Sequence, residues 1–308
     1  MILCITPNPA IDRTIILPQL IPGDVHRAKK VIVAAGGKGL NVARAIRILG
    51  GDALCLGFAG GHAGQLLADL AQNEGLNSSW TWTSSETRTC TILISEDGNA
   101  TEIDEPGLAV SISDWRKLQQ EVNKHMASTD RVCISGSLPV GSSAGDLQEL
   151  LSIPIHSGKQ VWMDTSGAAL HRVLTQPNLC IKVNGNEMGE ALGFKVNDLD
   201  SAQRALMGLD EHNLTAAVIT LGSMGAVLAT QEGRWHARGP RVPVVSAVGS
   251  GDAFLAGLVS ALDAGKGWPA ALGEAVAAGT ANTLLAGGGQ FKLQEFEQIR
   301  EQVQVEAW

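Results

Sequence analysis

The sequence has no tyrosine, and its seven tryptophans are scattered, so it offers no aromatic stacking platform. Its five cysteines (Cys4, Cys55, Cys90, Cys133 and Cys180) form no CxxC pair, and no ligand spacing supports a metal or redox site. Several fall inside apolar runs that read as strands. Buried, reduced thiols in a reducing compartment are therefore expected. The histidines form no HxH or HExxH pattern and are assigned no metal. No apolar run reaches membrane-spanning length, and Met1-Ile2-Leu3-Cys4-Ile5 lacks the basic start of a signal peptide. The expectation is a cytoplasmic protein with no membrane partner. Positive charge is in short supply, with 23 Lys and Arg against 31 Asp and Glu and a net charge of −8. That excludes a general nucleic-acid binder, which needs a basic face, but not a phosphorylated small molecule, for which a few local cations suffice. Two nucleotide fingerprints are also missing. There is no GxxxxGK followed by Ser or Thr, and no GxGxxG after the first strand. A P-loop NTPase and a standard NAD enzyme are both disfavoured.

What remains is an ordinary globular composition, 44% apolar and 18% charged, over 308 residues. Met1 to Thr6 reads as a buried strand ended by Thr6-Pro7-Asn8-Pro9. From Asp52 onward, short apolar strands alternate with helical segments, which implies a mostly parallel sheet with helices on both faces. Strand-like segments at about 12–17, 25–34, 88–95 and 99–103 have no helix partner of their own. The last two flank Glu96-Asp97-Gly98, a hairpin signal. No linker or internal repeat interrupts the chain. It is read as one α/β domain, 1–308, with a small β-sheet lid built from those four segments.

Ligands of open α/β sheets bind at the carboxyl ends of the strands. The strongest candidate there is Val248-Gly249-Ser250-Gly251-Asp252, a glycine turn followed at once by an acid and an apolar helical run. Such a turn exposes N–H groups to an anion, and the helix dipole adds positive potential. Asp252 would then be a base beside a phosphoryl group; alternatively it caps a helix. Gly36-Gly37-Lys38-Gly39-Leu40-Asn41 opens another helix, where a sugar could approach the backbone and Asn41 bond a hydroxyl, or Lys38 could simply be solvated. Asp12 could bind sugar hydroxyls or be a turn carboxylate. Arg27, Lys38 and Arg88 could clamp a phosphate, or each be a surface charge. Asn184 and Glu187 could orient magnesium waters near nucleotide phosphates, or Glu187 could be an ordinary first-turn acid.

Taken together, Ala35-Gly36-Gly37-Lys38-Gly39-Leu40-Asn41-Val42-Ala43 resembles the first signature of the ribokinase-like (PfkB) carbohydrate kinases, and Val248 to Phe254 resembles their second. Thr6-Pro7-Asn8-Pro9-Ala10-Ile11-Asp12 looks like the hexose-phosphate kinase branch, which holds 1-phosphofructokinase, tagatose-6-phosphate kinase and the minor 6-phosphofructokinase. Order and spacing match from residue 1 to about 290. The resemblance implies a ribokinase-like fold with a β lid, often used for dimerisation, and hence a homodimer. It implies that Asp252 is the catalytic base and that Gly249, Ser250 and Gly251 form an anion hole. Asp12, Gly36, Gly37, Lys38 and Asn41 would contact the sugar, Arg27 and Arg88 its phosphate, and Ser137 the substrate. Lys182, Asn184 and Glu187 match the family's K-x-N-x-x-E near ATP phosphates and magnesium, with Glu187 acting on the metal through water. Thr220, Gly222, Gly225 and Asn282 would serve ATP. Ser246-Ala247 stand where relatives often carry Asn or Asp and then Thr or Ser, which leaves a monovalent-cation requirement open. Asn186 stands where some relatives carry a Lys. The implied reaction is ATP-dependent phosphorylation of a ketohexose phosphate at a primary hydroxyl. Fructose 1-phosphate, giving fructose 1,6-bisphosphate, comes first, with tagatose 6-phosphate and fructose 6-phosphate as alternatives. A non-catalytic sugar-phosphate sensor on the same fold is the reading from a different class.

Overall fold

The computed structural model describes residues 1–96, 100–209 and 213–308. Its strands are β1 (Ile2–Thr6), β2 (Ala10–Leu17), β3 (Lys30–Gly36), β4 (Ala53–Gly60), β5 (Asn77–Thr83), β6 (Arg88–Ser95), β7 (Ala100–Asp104), β8 (Arg131–Ser135), β9 (Gln160–Asp164), β10 (Leu179–Asn184), β11 (Ala216–Thr220), β12 (Ala226–Thr230), β13 (Gly233–Arg238) and β14 (Gln304–Ala307). Its helices are α1 (Lys38–Ile48), α2 (Gly61–Asn73), α3 (Ile112–His125), α4 (Ala144–His156), α5 (Gly167–Leu174), α6 (Gly185–Leu192), α7 (Leu199–Gly208), α8 (Ser250–Asp263), α9 (Trp268–Asn282) and α10 (Leu293–Arg300). The main sheet runs β14-β13-β12-β11-β10-β9-β8-β1-β4-β5. It is parallel from β11 to β5 and antiparallel from β11 through β12 and β13 to β14. No described helix is long and apolar enough to cross a membrane.

Both faces of this sheet are covered, so its central strands are continuous apolar runs whose residues alternate between two cores. Leu3, Ile5, Val132, Ile134, Val161 and Met163 pack against α3 to α7. Cys4, Cys55, Cys133, Trp162 and Cys180 turn to the other face, under α1, α2, α8 and α9. There the cysteines act as small apolar side chains, buried and free.

A second sheet, β3-β2-β6-β7, stands apart from the first. β2 is antiparallel to β3 and parallel to β6, and β6 is antiparallel to β7. The four expected lid segments therefore do join in one sheet. The expected strand at 25–34 begins only at Lys30, and Asp97-Gly98 of the hairpin signal, with Asn99 of the expected strand at 99–103, lie outside the described residues. β5 and β14 are edge strands that the sequence pattern does not reveal, because Asn77-Ser78-Ser79 and Gln304-Val305-Glu306 are mostly polar.

Candidate active site

One cleft of about 960 Å³ lies between the second sheet and the carboxyl ends of the parallel strands. At its floor is Asp252, the third residue of α8 and only 5% exposed. Gly249 caps this helix with a left-handed φ of 75°. A Cβ there would also lie 2.3 Å from the Cα of Gly288, so only glycine fits. The turn is closed by bonds from the Ser250 N–H to the Ala247 carbonyl and from the Asp252 and Ala253 N–H groups to that of Gly249. Among the described residues the Gly251 N–H has no protein acceptor, as expected in the first turn of a helix, and Gly251 lines the cleft.

Cations converge on the same loop. The Lys182 Nζ, at the end of β10, lies so close to Gly251 that a Cβ there would be 2.6 Å from it. It donates to Asp164 Oδ2 at 2.7 Å. Lys38, at the start of α1, donates to Asp164 Oδ1 at 2.9 Å and reaches Glu187 Oε1 at 3.4 Å. Asp164 is fully buried at the end of β9 and bridges the two ammoniums. Burial pushes its carboxyl up, but Lys182 and Lys38 together outweigh that and hold it below the usual carboxylate range. For Lys38, burial pulls the ammonium down, and Asp164, Glu187 and Asp252 more than reverse it.

Asp252 is in a different balance. Burial and the neighbouring Asp164 carboxylate push its carboxyl up to about 6, against the pull of Lys38, Lys182 and Asn41. The Asn41 Nδ2 donates to Asp252 Oδ2 at 2.8 Å, which leaves Oδ1 free of that bond. Such a carboxyl is poised to accept a proton near neutral pH, beside a loop and two lysines that suit a transferring anion.

The other wall is the second sheet. Asp12, Cys90 and Asp104 form one cross-strand row facing the cleft, with Ile92 and Glu102 in the next. Asp12 sits on the backbone of Gly36, where a Cβ would overlap its carboxylate. Burial pushes the Asp12 carboxyl up to about 7, with Arg44 pulling it down and Asp252 pushing it up. Burial and Asp104 raise Glu102 as well. Arg88, at the root of β6, donates to the carbonyls of Glu105 and Asn8, and the Asn8 Nδ2 donates to Ser137 Oγ at 3.0 Å.

Residues 6–294 match the sequence pattern of the pfkB family carbohydrate kinases. The chain belongs to that family. It is 30% identical over 308 residues to a tagatose-6-phosphate kinase of Staphylococcus epidermidis, covering 99% of both chains. Its structure resembles that of phosphofructokinase-2 from Escherichia coli in a tetrameric inhibited form, with a TM-score of 0.88, 28% identity and coverage of 97% and 98%. Against the same enzyme in complex with fructose-6-phosphate, the TM-score is 0.87 at 27% identity, with the same coverage. The fold is ribokinase-like, and the protein is an ATP-dependent carbohydrate kinase.

Most of the residues singled out in the sequence line this kinase's cleft. Asp12, Gly37, Lys38, Asn41, Arg88 and Ser137 do so, as do Lys182, Asn184, Glu187, Thr220, Gly222, Gly225 and Gly249 to Asp252. Asn184 and Glu187 also form a capping box at α6: the Asn184 side chain accepts from the Glu187 N–H at 2.8 Å, and Glu187 Oε2 from the Asn184 N–H at 2.9 Å. The helix-start reading of Glu187 is thus met through Oε2, while Oε1 lies 3.4 Å from the Lys38 ammonium.

Three expectations need correction, for Arg27, Gly36 and Asn282. Arg27 is exposed in the connection between β2 and β3 and does not line the cleft, because it lies beyond Leu17, past the cleft-lining position Asp12 on β2. Lys38, by contrast, lines the cleft as expected and is engaged there by Asp164 and Glu187. Gly36 lies beneath Asp12 instead of lining the cleft. Asn282 is fully buried and does not line the cleft either; its Nδ2 donates to the Val248 carbonyl at 2.9 Å and its Oδ1 accepts from the Gln290 N–H at 3.0 Å. It supports the glycine loop from behind. The sequence reading missed Asp164, Asn8, Glu102 and Asp104. Asp164 was within reach, since it ends a strand on the ligand edge of the sheet. Glu102 and Asp104 carry no local signal, because only the register of β7 decides which of its residues face inward.

Proposed function

We propose that this kinase transfers the γ-phosphoryl group of ATP to a primary hydroxyl of a ketohexose phosphate. The observation that carries the reading is the setting of Asp252: buried, bonded to Asn41 through one oxygen, raised to about 6, and next to the Gly249–Gly251 turn. An alcohol is almost wholly protonated at neutral pH, so attack needs a base at that oxygen. Asp252 takes the hydroxyl proton. The loop N–H groups, Lys38 and Lys182 neutralise charge on the equatorial oxygens of the moving phosphoryl. Thr220, Gly222 and Gly225 form the nucleotide edge. Asp12, with Glu102 and Asp104 beside it, holds the hydroxyls of the sugar, and Arg88 is the cation nearest its phosphate end.

Magnesium fits this donor set in a limited way. Among the described residues no three His, Cys, Asp or Glu side chains form a metal cage. That suits a Mg²⁺ ion bound mainly by nucleotide phosphates and water, with Glu187 as its protein contact through water. The ion would supply charge neutralisation at the phosphates. The loop at Ser246-Ala247 gives no support to a monovalent-cation site.

Fructose 1-phosphate, phosphorylated at the 6-position, is the acceptor that the sequence puts first. The names of relatives at 27–30% identity favour a second reading, tagatose 6-phosphate or fructose 6-phosphate taken at the 1-position. Either acceptor presents a phosphate at one end and a hydroxymethyl group at the other. A coupled assay of kcat/KM for the three sugars ranks them. Turnover of ribose or adenosine, with all three ketohexose phosphates inert, would refute the proposed class. The second sheet is proposed as a lid whose outer face joins two chains in a homodimer.

A further inference from the structure

Arg44 has no part in the reading above, yet it is one of the most heavily bonded side chains near the base. It lies on α1 and is only 7% exposed. A guanidinium in that position is tolerated only when its donors are matched. They are. Its Nε donates to Glu74 Oε2 at 2.7 Å, and its Nη2 to the Ala35 carbonyl at 2.6 Å. Its Nη1 donates at 2.7 Å to both Asn41 Oδ1 and the Gly288 carbonyl.

The bond to Asn41 has a consequence one residue further on. A guanidinium has donors and no acceptor. The Asn41 atom facing Arg44 must therefore be the amide oxygen, and the NH₂ group must face the other way, towards Asp252. There it donates to Oδ2. Without Arg44 the amide is free to turn over, and its oxygen would then oppose a carboxylate. Asn41 and Arg44 stand three residues apart, one turn along the same helix face.

The same side chain holds the root of the second sheet. Glu74, paired with Arg44, accepts the Ala35 N–H through Oε1 at 2.9 Å. Both polar backbone groups of Ala35 are thereby fixed by the Arg44–Glu74 pair. Ala35 immediately precedes Gly36, on which the Asp12 carboxylate rests.

We infer that Arg44 is a positioning residue: it sets the Asn41 amide so that an N–H, never a carbonyl, holds Asp252, and leaves one carboxylate oxygen to meet the acceptor hydroxyl. This rests on Asp252 being the base. The test is a double-mutant cycle on kcat, using the ketohexose phosphate with the highest kcat/KM. Arg44→Lys is expected to lower kcat about tenfold, the scale of one charge-assisted bond, with KM for ATP within about twofold. In an Asn41→Ala background the same change is expected to cost almost nothing further, because the group it orients is gone. Equal losses in both backgrounds would assign Arg44 a general structural role and overturn the inference. If loss of the guanidinium's several bonds prevents Arg44→Lys from folding, Arg44→Gln with Glu74→Gln removes both charges, and the same cycle is run in that pair. The two readings fail separately. Normal turnover by Asp252→Asn removes the base itself, whereas a dead Asp252→Asn with additive Arg44 and Asn41 losses removes only the positioning role.

Discussion

Asp252 and Asp164 are both buried aspartates in one cleft, and their surroundings push their protons in opposite directions. Asp164 touches two ammoniums and stays ionised. Asp252 touches an amide and has the Asp164 charge nearby, so its carboxyl rises to about 6. Two consequences follow for pH. Since the base must be ionised, kcat/KM for the sugar should fall below an apparent pKa near 6, measured as the acid limb of its pH profile. The effect on stability has the opposite sense. A carboxyl raised in the folded state binds its proton more readily there than in the unfolded chain, so folding loses stability as pH rises from about 4 to 7. Asp12, raised to about 7, adds to the same trend. Asp252→Asn should therefore flatten part of the stability–pH curve over that window in thermal melts, while a curve identical to wild type would mean that Asp252 titrates normally. At this scale the sequence was informative about residue type and spacing. It was silent about partners: nothing near Lys38 in the chain announces Asp164, which lies 126 residues away.

Elements matter here through their ends. The glycine loop is the start of α8, and it is held by the end of α9 through Asn282, which bonds the Val248 carbonyl and the Gln290 N–H. Asn282→Ala leaves a half-buried carbonyl and a half-buried N–H without their partner, at a cost of about 1 kcal/mol each. It should lower the melting temperature and raise KM for ATP more than KM for the sugar, because the loop it supports is the one proposed to meet the nucleotide phosphates. A variant with normal stability and normal KM would show that the loop holds itself. Asp164→Asn tests the strand end. It should cut kcat by at least about tenfold, since Lys38 and Lys182 lose the carboxylate that aims them, and steady-state kinetics at saturating ATP would show it. The strand–helix alternation was legible because central strands are apolar on both faces. β5 and β14 were not, because edge strands exposed to water carry Ser, Asn, Gln and Glu and lose that signature.

The whole molecule consists of a covered sheet and a second sheet that supplies the far wall of the cleft. The inner rows of that wall are acidic, whereas its outer face carries apolar side chains with Arg13, Thr91 and Thr101 among them. Val31, Val33 and Ile103 are 45%, 37% and 56% exposed, and Ile15 and Leu93 lie in register with Val31. Val31→Glu with Val33→Glu should convert a dimer to monomer in sedimentation velocity; a wild-type chain that is monomeric at micromolar concentration would contradict assembly through this face. The second sheet was legible in outline, as four strand-like segments without helix partners. Its function as a wall was not, because that depends on the parallel pairing of β2 with β6 across 78 residues of chain, counted from Ala10 to Arg88. The central claim, that this cleft moves a phosphoryl group from ATP to a sugar phosphate with Asp252 as base, is met most directly by comparing turnover of wild type and Asp252→Asn on the ketohexose phosphates. The account predicts ATP-dependent turnover by the wild type and a loss of about two to four decades in kcat in the variant, with fold and sugar binding retained. Near-normal turnover by Asp252→Asn would contradict it.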